Sequence, residues 1–192
     1  MGAAARAMAN FGLRDLVLVA PYDVAWQTAR SARAGAEILA RARAVASLGE
    51  AVADCTQVVG TTAGTARTPE LPIEDWNAIA ASLPVGRIAL LFGSEKTGLG
   101  VEEISFCQRL ARIGTALEAP SMNLGQAVAI CAYELSRRPA APATAAPQDI
   151  DVATRERVLD IWYPLLVRLG ASQPQHEASQ KRALREMLWR WR

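Results

Sequence analysis

The chain has 192 residues, of which 51% are hydrophobic, and a formal net charge of +2. This length fits one large domain or one domain with an appendage, and so small a net charge gives no sign of bulk attraction to nucleic acid. Cys55, Cys107 and Cys131 are far apart and the only histidine is His176, which predicts buried reduced thiols in a cytoplasmic protein and no metal site. No apolar stretch approaches the roughly 20 residues of a membrane helix, so no membrane partner is expected.

The first half of the chain alternates between helical and extended patterns. Residues 1–11 predict a helix whose apolar stripe consists of Ala4, Ala7, Met8 and Phe11. Residues 13–20 and 56–59 predict strands, 28–47 an alanine-rich helix with arginines, and 69–83 a moderately amphipathic segment. The arginines of 28–47 form either a solvated helix face or a patch that faces RNA. Alternating short strands and helices favour an α/β fold with a mostly parallel sheet.

Two further strands are each followed by a loop of small and polar residues. Residues 88–92 form an apolar run that ends at a glycine-rich turn, and a run around 111–115 leads to the polar turn at 121–123. A helix then begins at Leu124, because apolar residues recur at the i, i+3, i+4, i+7 and i+11 positions. Ligands of open α/β sheets bind beyond the carboxyl ends of the strands. These loops therefore predict a ligand site.

The loop at 93–98, GSEKTG, superficially resembles a phosphate-binding loop. A P-loop has Lys and then Ser or Thr directly after its second glycine, whereas Leu99 and Gly100 follow here. The GxGxxG pattern of dinucleotide-binding folds is also absent. The sequence therefore predicts a pocket in which glycines and other small residues let the backbone approach the ligand closely.

The composition changes after residue 138. Residues 139–150 are rich in proline and alanine and predict a semi-extended linker. Residues 151–192 carry two helical patterns, the first interrupted by Pro164, and most of their excess positive charge lies near the end. In the last pattern Arg182, Arg185 and Trp189 share a face, which either belongs to the surface and packing or contacts RNA through phosphates and stacking. The sequence thus predicts a domain at 1–138, a linker at 139–150 and a helical C-terminal extension at 151–192.

Three motifs occur in order along the chain. FGSEKTGL at 92–99, followed by RIGT at 112–115 and SMNLGQAVAICAYEL at 121–135, resembles the second and third signature motifs of the TrmH (SpoU) branch of SPOUT RNA methyltransferases. GAAARAM at 2–8 resembles the end of the first motif, N-x-G-x-x-x-R. In detail the chain is most similar to TrmJ-like tRNA 2′-O-methyltransferases. The asparagine and strand that open the first motif are missing, because Gly2 follows Met1, so a sheet without its first strand is expected.

The resemblance implies a deep trefoil knot, a homodimer with active sites at the subunit interface, and S-adenosylmethionine as a cofactor that leaves as S-adenosylhomocysteine. It implies Arg6, Asn123 and Ser121 as catalytic residues, although Asn123 is also an excellent N-cap for the next helix. The implied cofactor contacts are Thr61, Gly93, Glu95, Gly98, Ile113, Met122 and Leu124. Glu95 is expected to brace its loop rather than act as a base. The implied RNA contacts are Arg67, Arg182, Arg185 and Trp189.

The activity that the resemblance implies is 2′-O-ribose methylation of RNA, in particular of the anticodon loop of tRNA. Two alternatives stay open. The chain is either an rRNA methyltransferase of the same branch or, since its first motif is incomplete, a dimeric RNA-binding module that does not catalyse.

Overall fold

The computed structural model describes residues 1–21, 34–63, 71–138 and 150–190. The strands in these ranges are β1 (Val17–Val19), β2 (Arg43–Val45), β3 (Gln57–Thr61), β4 (Ile73–Asp75), β5 (Ile88–Leu91) and β6 (Arg109–Arg112). The helices are α1 (Gly2–Asn10), α2 (Ala36–Arg41), α3 (Leu48–Val52), α4 (Trp76–Ser82), α5 (Val101–Ser105), α6 (Leu124–Ser136), α7 (Val152–Arg168) and α8 (Glu177–Arg190), with a 3-10 turn at Pro174–His176.

The described strands form two sheets, and every strand pair in them is parallel. One sheet has the order β4-β6-β3-β5, and the other joins β1 to β2. Arg87, just before β5, pairs with Asp15 near β1 at 3.1 Å and with Asp54 at 3.0 Å. The prediction of an α/β fold with parallel sheets and flanking helices is confirmed.

Two segments fold differently from the sequence prediction. The predicted helix over 28–47 is wrong beyond Arg41, since Arg43–Val45 form β2, and residues 28–33 lie outside the described ranges. Strand β2 consists of only three residues, which are too few to show an alternation of apolar and polar side chains. Segment 69–83 contains both β4 and α4. Strand β4 escapes detection because three residues are too few to show a period.

Strand β3 lies at the centre of the core. Val58 and Val59 are fully buried on opposite faces, because successive side chains of a strand alternate. Val58 packs in a cluster with residues of α3 and with Phe106, while Val59 packs in a cluster with Trp76 of α4 and Cys131 of α6. The four-stranded sheet is therefore covered on both faces, so a ligand is expected at the ends of its strands and not on a face.

The C-terminal extension packs directly against the domain. Val152, at the start of α7, is fully buried. Its N–H donates to the carbonyl of Cys55 at 2.9 Å, and the N–H of Ala153 donates to that of Ala53 at 2.9 Å. Helix α7 continues through Pro164 to Arg168. The linker predicted at 139–150 falls almost wholly outside the described ranges, so the division into domain and extension stays a prediction.

No helix in the described part of the chain is both long and apolar enough to cross a membrane.

Candidate active site

Strands β6, β3 and β5 are neighbours, and hydrogen bonds tie their carboxyl ends together. The hydroxyl of Thr61, the last residue of β3, donates to the carbonyl of Leu91 in β5 at 2.8 Å. The N–H of Thr62 donates to the carbonyl of Ala111 in β6 at 2.9 Å. The loops that follow these strands therefore leave the sheet side by side, as the sequence predicts for a ligand site.

The loop after β5 is tight and held by its own hydrogen bonds. Ser94 and Gly98 pair with each other, and the N–H of Gly98 donates to the carbonyl of Ser94 at 2.9 Å. The Ser94 hydroxyl accepts from the N–H of Thr97 at 3.1 Å. A Cβ on Gly93 would lie 2.0 Å from the carbonyl carbon of Gly98, and Gly98 itself has a φ of +68°. Both glycines are thus required, because neither position accepts a side chain without strain.

The loop after β6 runs to the start of α6. The hydroxyl of Thr115 donates to the carbonyl of Pro120 at 3.3 Å and closes this loop. Asn123 then caps α6, since its Oδ1 accepts from the N–H of Gly125 at 2.9 Å. The N-cap role that the sequence predicts for Asn123 is confirmed.

Asn123 also joins the two loops. Its Nδ2 donates to Oε1 of Glu95 at 3.3 Å. One side chain can make both bonds, because the amide oxygen accepts from the N–H at the helix terminus while the amide nitrogen donates to the carboxylate. Two predicted site residues that are far apart in sequence are thus in contact, and the bracing role of Glu95 stays a prediction.

Helix α1, which carries Arg6, packs against the start of α6 and against Gly35. Its packing is very close: a Cβ on Gly125 would lie 2.7 Å from the Cβ of Ala3, and a Cβ on Gly35 would lie 2.5 Å from the carbonyl carbon of Ala5. Arg6 is exposed and lies three positions after Ala3, so it is a neighbour of that contact on the helix surface. Gly35 and Gly125 therefore determine where α1, and with it Arg6, lies. No sequence pattern indicates their role, since the need for glycine comes from the opposing helix.

The other predicted cofactor residues surround the same loops. Ile113 and Met122 are half-buried, whereas Ser121 is exposed. Leu124 packs against the cluster of α1 and α2, so part of its side chain supports the helix packing. Apart from the glycine itself and its two chain neighbours, no atom lies within 4 Å of the position that a Cβ would take at Gly98 or at Gly114. These loops thus offer exposed backbone, two apolar side chains and open space, which suits a small ligand held mainly by main-chain groups.

Of the residues predicted to contact RNA, the structure describes the side chains of Arg182 and Arg185. Arg67 and the side chain of Trp189 fall outside the described part of the structure, and Arg182 is half-buried on α8. Arg185 has only 6% of its surface exposed, and its guanidinium binds side chains of α5 and α7. For Arg185 this favours the packing alternative, since an RNA contact there would require these bonds to break, and the RNA contacts of the face stay a prediction.

The cysteines do not contribute a nucleophile. Burial raises the pKa of both the Cys107 and Cys131 thiols to about 12, and burial next to Asp54 raises that of Cys55 to about 11. At neutral pH all three are protonated thiols, which are poor nucleophiles. Among the described residues, no group of three or more histidine, cysteine or carboxylate side chains could hold a metal ion.

Comparison with known proteins identifies similar sequences and folds. The profile of the SpoU rRNA Methylase family matches residues 1–133. The chain is 32% identical over 205 residues to tRNA (cytidine/uridine-2′-O-)-methyltransferase TrmJ of Klebsiella pneumoniae subsp. pneumoniae, an alignment that covers 100% of this chain and 84% of that protein. It is 40% identical over 141 residues to tRNA (cytidine/uridine/adenosine-2′-O-)-methyltransferase TrmJ of Pseudomonas aeruginosa, with 70% of this chain and 54% of that protein covered. The crystal structure of TrmJ from Z. mobilis ZM4 is similar at a TM-score of 0.83 and 31% identity, covering 98% of this chain and 84% of that one.

Proposed function

The chain belongs to the SpoU methylase family, and on this premise we propose that it is an S-adenosylmethionine-dependent 2′-O-ribose methyltransferase of tRNA that acts in the anticodon loop. The observation that carries the proposal is the contact between Asn123 and Glu95, which joins the loops after β5 and β6 at 3.3 Å. The curated relatives that resemble this chain at 32% and 40% identity are both named as tRNA enzymes. This favours tRNA over rRNA as the substrate.

The loops around that contact would hold the cofactor. Backbone groups of the 93–98 and 113–124 loops would bind its polar groups, and Ile113 and Met122 would cover its apolar surface. When bound, S-adenosylmethionine supplies the methyl group that the ribose 2′-oxygen receives. The main contribution of these loops is orientation, because a transfer of this kind requires the reacting atoms to be held in line.

Arg6 would act on the RNA side of the site. Guanidinium groups stay protonated at neutral pH, so Arg6 acts as a cation and not as a base. It clamps the adjoining phosphate and stabilises the negative charge that develops on the 2′-oxygen. The proton of the 2′-hydroxyl leaves to phosphate or water. Asn123 and Ser121 hold the ribose, and Glu95 keeps the amide of Asn123 in place.

Nucleoside analysis of treated RNA tests this function. The chain is incubated with S-adenosylmethionine and, in separate reactions, with unmodified tRNA and rRNA fragments. We expect a 2′-O-methylnucleoside from the anticodon loop of tRNA. A product from rRNA alone would assign the chain to the rRNA branch. Cofactor binding without any product would indicate a non-catalytic RNA-binding module.

We further propose that the chain forms the trefoil knot of its family and a homodimer with active sites at the subunit interface. Support for the dimer is the apolar surface of α6, the helix capped by Asn123. Ile130 and Tyr133 on this helix are 36% and 47% exposed. Sedimentation equilibrium of the wild-type chain and of Ile130→Glu tests the dimer. A monomeric wild type would contradict it.

A further inference from the structure

Arg185 of α8 is a buried cation that holds three helices together. Its Nε and Nη2 donate to the two carboxylate oxygens of Glu156 in α7, at 2.7 and 2.9 Å. Its Nη1 donates to the hydroxyl of Ser105 at 2.7 Å and to Oε1 of Glu102 at 3.1 Å, both in α5. Its guanidinium carbon also lies 4.0 Å from the ring centroid of Phe106. The side chain thus connects the C-terminal extension to α5.

This arrangement specifically requires arginine. Burial on its own would lower the pKa of Arg185, but the hydrogen bonds and charges of Glu156 and Glu102 outweigh burial and raise it. The planar guanidinium matches a carboxylate with two parallel hydrogen bonds and stacks on an aromatic ring, which an ammonium group does not reproduce. Arg185 therefore stays charged and donates four hydrogen bonds to its partners.

Helix α5 lies directly after the loop at 93–98. It has five residues and begins after Gly100, so it is too short to be stable without tertiary contacts. The loop is exposed but closed by its own hydrogen bonds. A displacement of α5 would therefore move the loop as a unit and pull Glu95 away from Asn123.

We propose that Arg185 is a positioning residue that couples the C-terminal extension to the cofactor loop at 93–98. The proposal rests on the assigned cofactor role of that loop. Through α5, the extension sets the position of the loop and hence the affinity for S-adenosylmethionine. Because coupling between two sites is reciprocal, cofactor bound at the loop in turn stabilises the contact of Arg185 with α5.

Two changes break the connection at different points. Arg185→Met removes the guanidinium, while Glu102→Ala with Ser105→Ala removes the two hydrogen-bond partners in α5, together with the bond from the Ser105 hydroxyl to the carbonyl of Glu102 at 2.8 Å, and leaves Glu156 paired. If Arg185→Met does not fold, the double change in α5 still tests the connection. The matched control is Lys181→Met on the same helix, because Lys181 pairs with Asp160 at 3.0 Å and Glu177 at 2.9 Å, both within the extension.

Two measurements on the full chain decide the proposal. Calorimetry gives the dissociation constant for S-adenosylmethionine, which we expect to rise about tenfold in both test variants and to stay unchanged in Lys181→Met. Hydrogen exchange gives the protection of amides 93–105 without cofactor, which we expect to fall in the same two variants. Arg185→Lys should restore only part of either property.

The outcomes separate this proposal from the proposed function. Equal dissociation constants in the test variants and the control would overturn the coupling, even if the melting temperature fell. Unchanged exchange at 93–105 would overturn the positioning by Arg185. A wild-type chain that does not bind S-adenosylmethionine would overturn the cofactor assignment and the coupling to it, whereas the exchange measurement would still decide whether Arg185 positions the loop.

Discussion

The side chain of Asn123 bridges two parts of the site, since its Nδ2 donates to Oε1 of Glu95 at 3.3 Å while its Oδ1 caps α6. A single amide therefore contacts both the first turn of α6 and the neighbouring loop. Helix capping and loop bracing are separable by substitution, because an aspartate retains the capping oxygen but not the amide donor.

Asn123→Asp should retain the stability of α6 but weaken cofactor binding. Aspartate is as good an N-cap as asparagine, yet its second oxygen would face the Glu95 carboxylate and repel it. Asn123→Ala, in contrast, should lose both contacts and cost about 1 kcal/mol of stability from the cap alone. Thermal unfolding and calorimetry with S-adenosylmethionine measure the two effects. Unaltered cofactor binding in Asn123→Asp would argue against the bracing role of Glu95.

Arg6→Ala should reduce methylation by about a hundredfold or more, as expected when a group that stabilises developing negative charge is removed. Cofactor binding should be spared, because Arg6 is exposed on α1 and is assigned to the RNA. Nucleoside analysis measures the product, and calorimetry measures the cofactor affinity. Loss of both properties together would contradict the assignment.

Gly125→Ala should force α1 away from α6, since the added Cβ would lie 2.7 Å from that of Ala3. Overpacking of this kind costs about 1–3 kcal/mol, and the displaced Arg6 should lower turnover. Gly49→Ala in α3 is the matched control, because its Cβ would meet the Phe106 ring at an ordinary 3.6 Å. The control should be neutral or stabilising, as Gly inside a helix is unfavourable. A melting temperature equal to that of the control would contradict the tight packing.

The free energy of unfolding should fall as the pH rises above 9. The thiols of Cys107 and Cys131 have an ordinary pKa of 9.0, which burial raises to about 12 in the folded chain. Between these values the unfolded chain loses protons that the folded chain retains, so ionisation favours unfolding by about 1.4 kcal/mol per pH unit for each thiol. Chemical denaturation at several pH values measures the slope. Cys131→Ala should reduce it, and an identical slope in that variant would contradict the assignment.

Much of the site follows from local sequence. Glycines at 93 and 98 are required by the close backbone contact and by a left-handed φ within one short loop. Asn123 comes directly before a helix whose apolar residues recur with helical spacing in the sequence. Its capping hydrogen bond is local, because it joins Asn123 to Gly125 only two positions later. Features of this kind are predictable because the interacting groups are neighbours along the chain. Strand β4, in contrast, has only three residues, too few to show a period, and its side-chain contact comes from far along the chain, since Arg109 of β6 pairs with its Glu74 at 2.8 Å across 35 positions.

The sequence by itself determined the family, the parallel α/β architecture and the loops of the site, because these depend on residue types at fixed short spacings. Only the tertiary structure decided how Arg185 is used. Helical spacing places Arg185 on a face with Arg182 and Trp189, but it does not reveal what covers that face. The partners of Arg185 lie 29 to 83 positions away in α7 and α5. Burial among those partners makes Arg185 a connection between the C-terminal extension and α5.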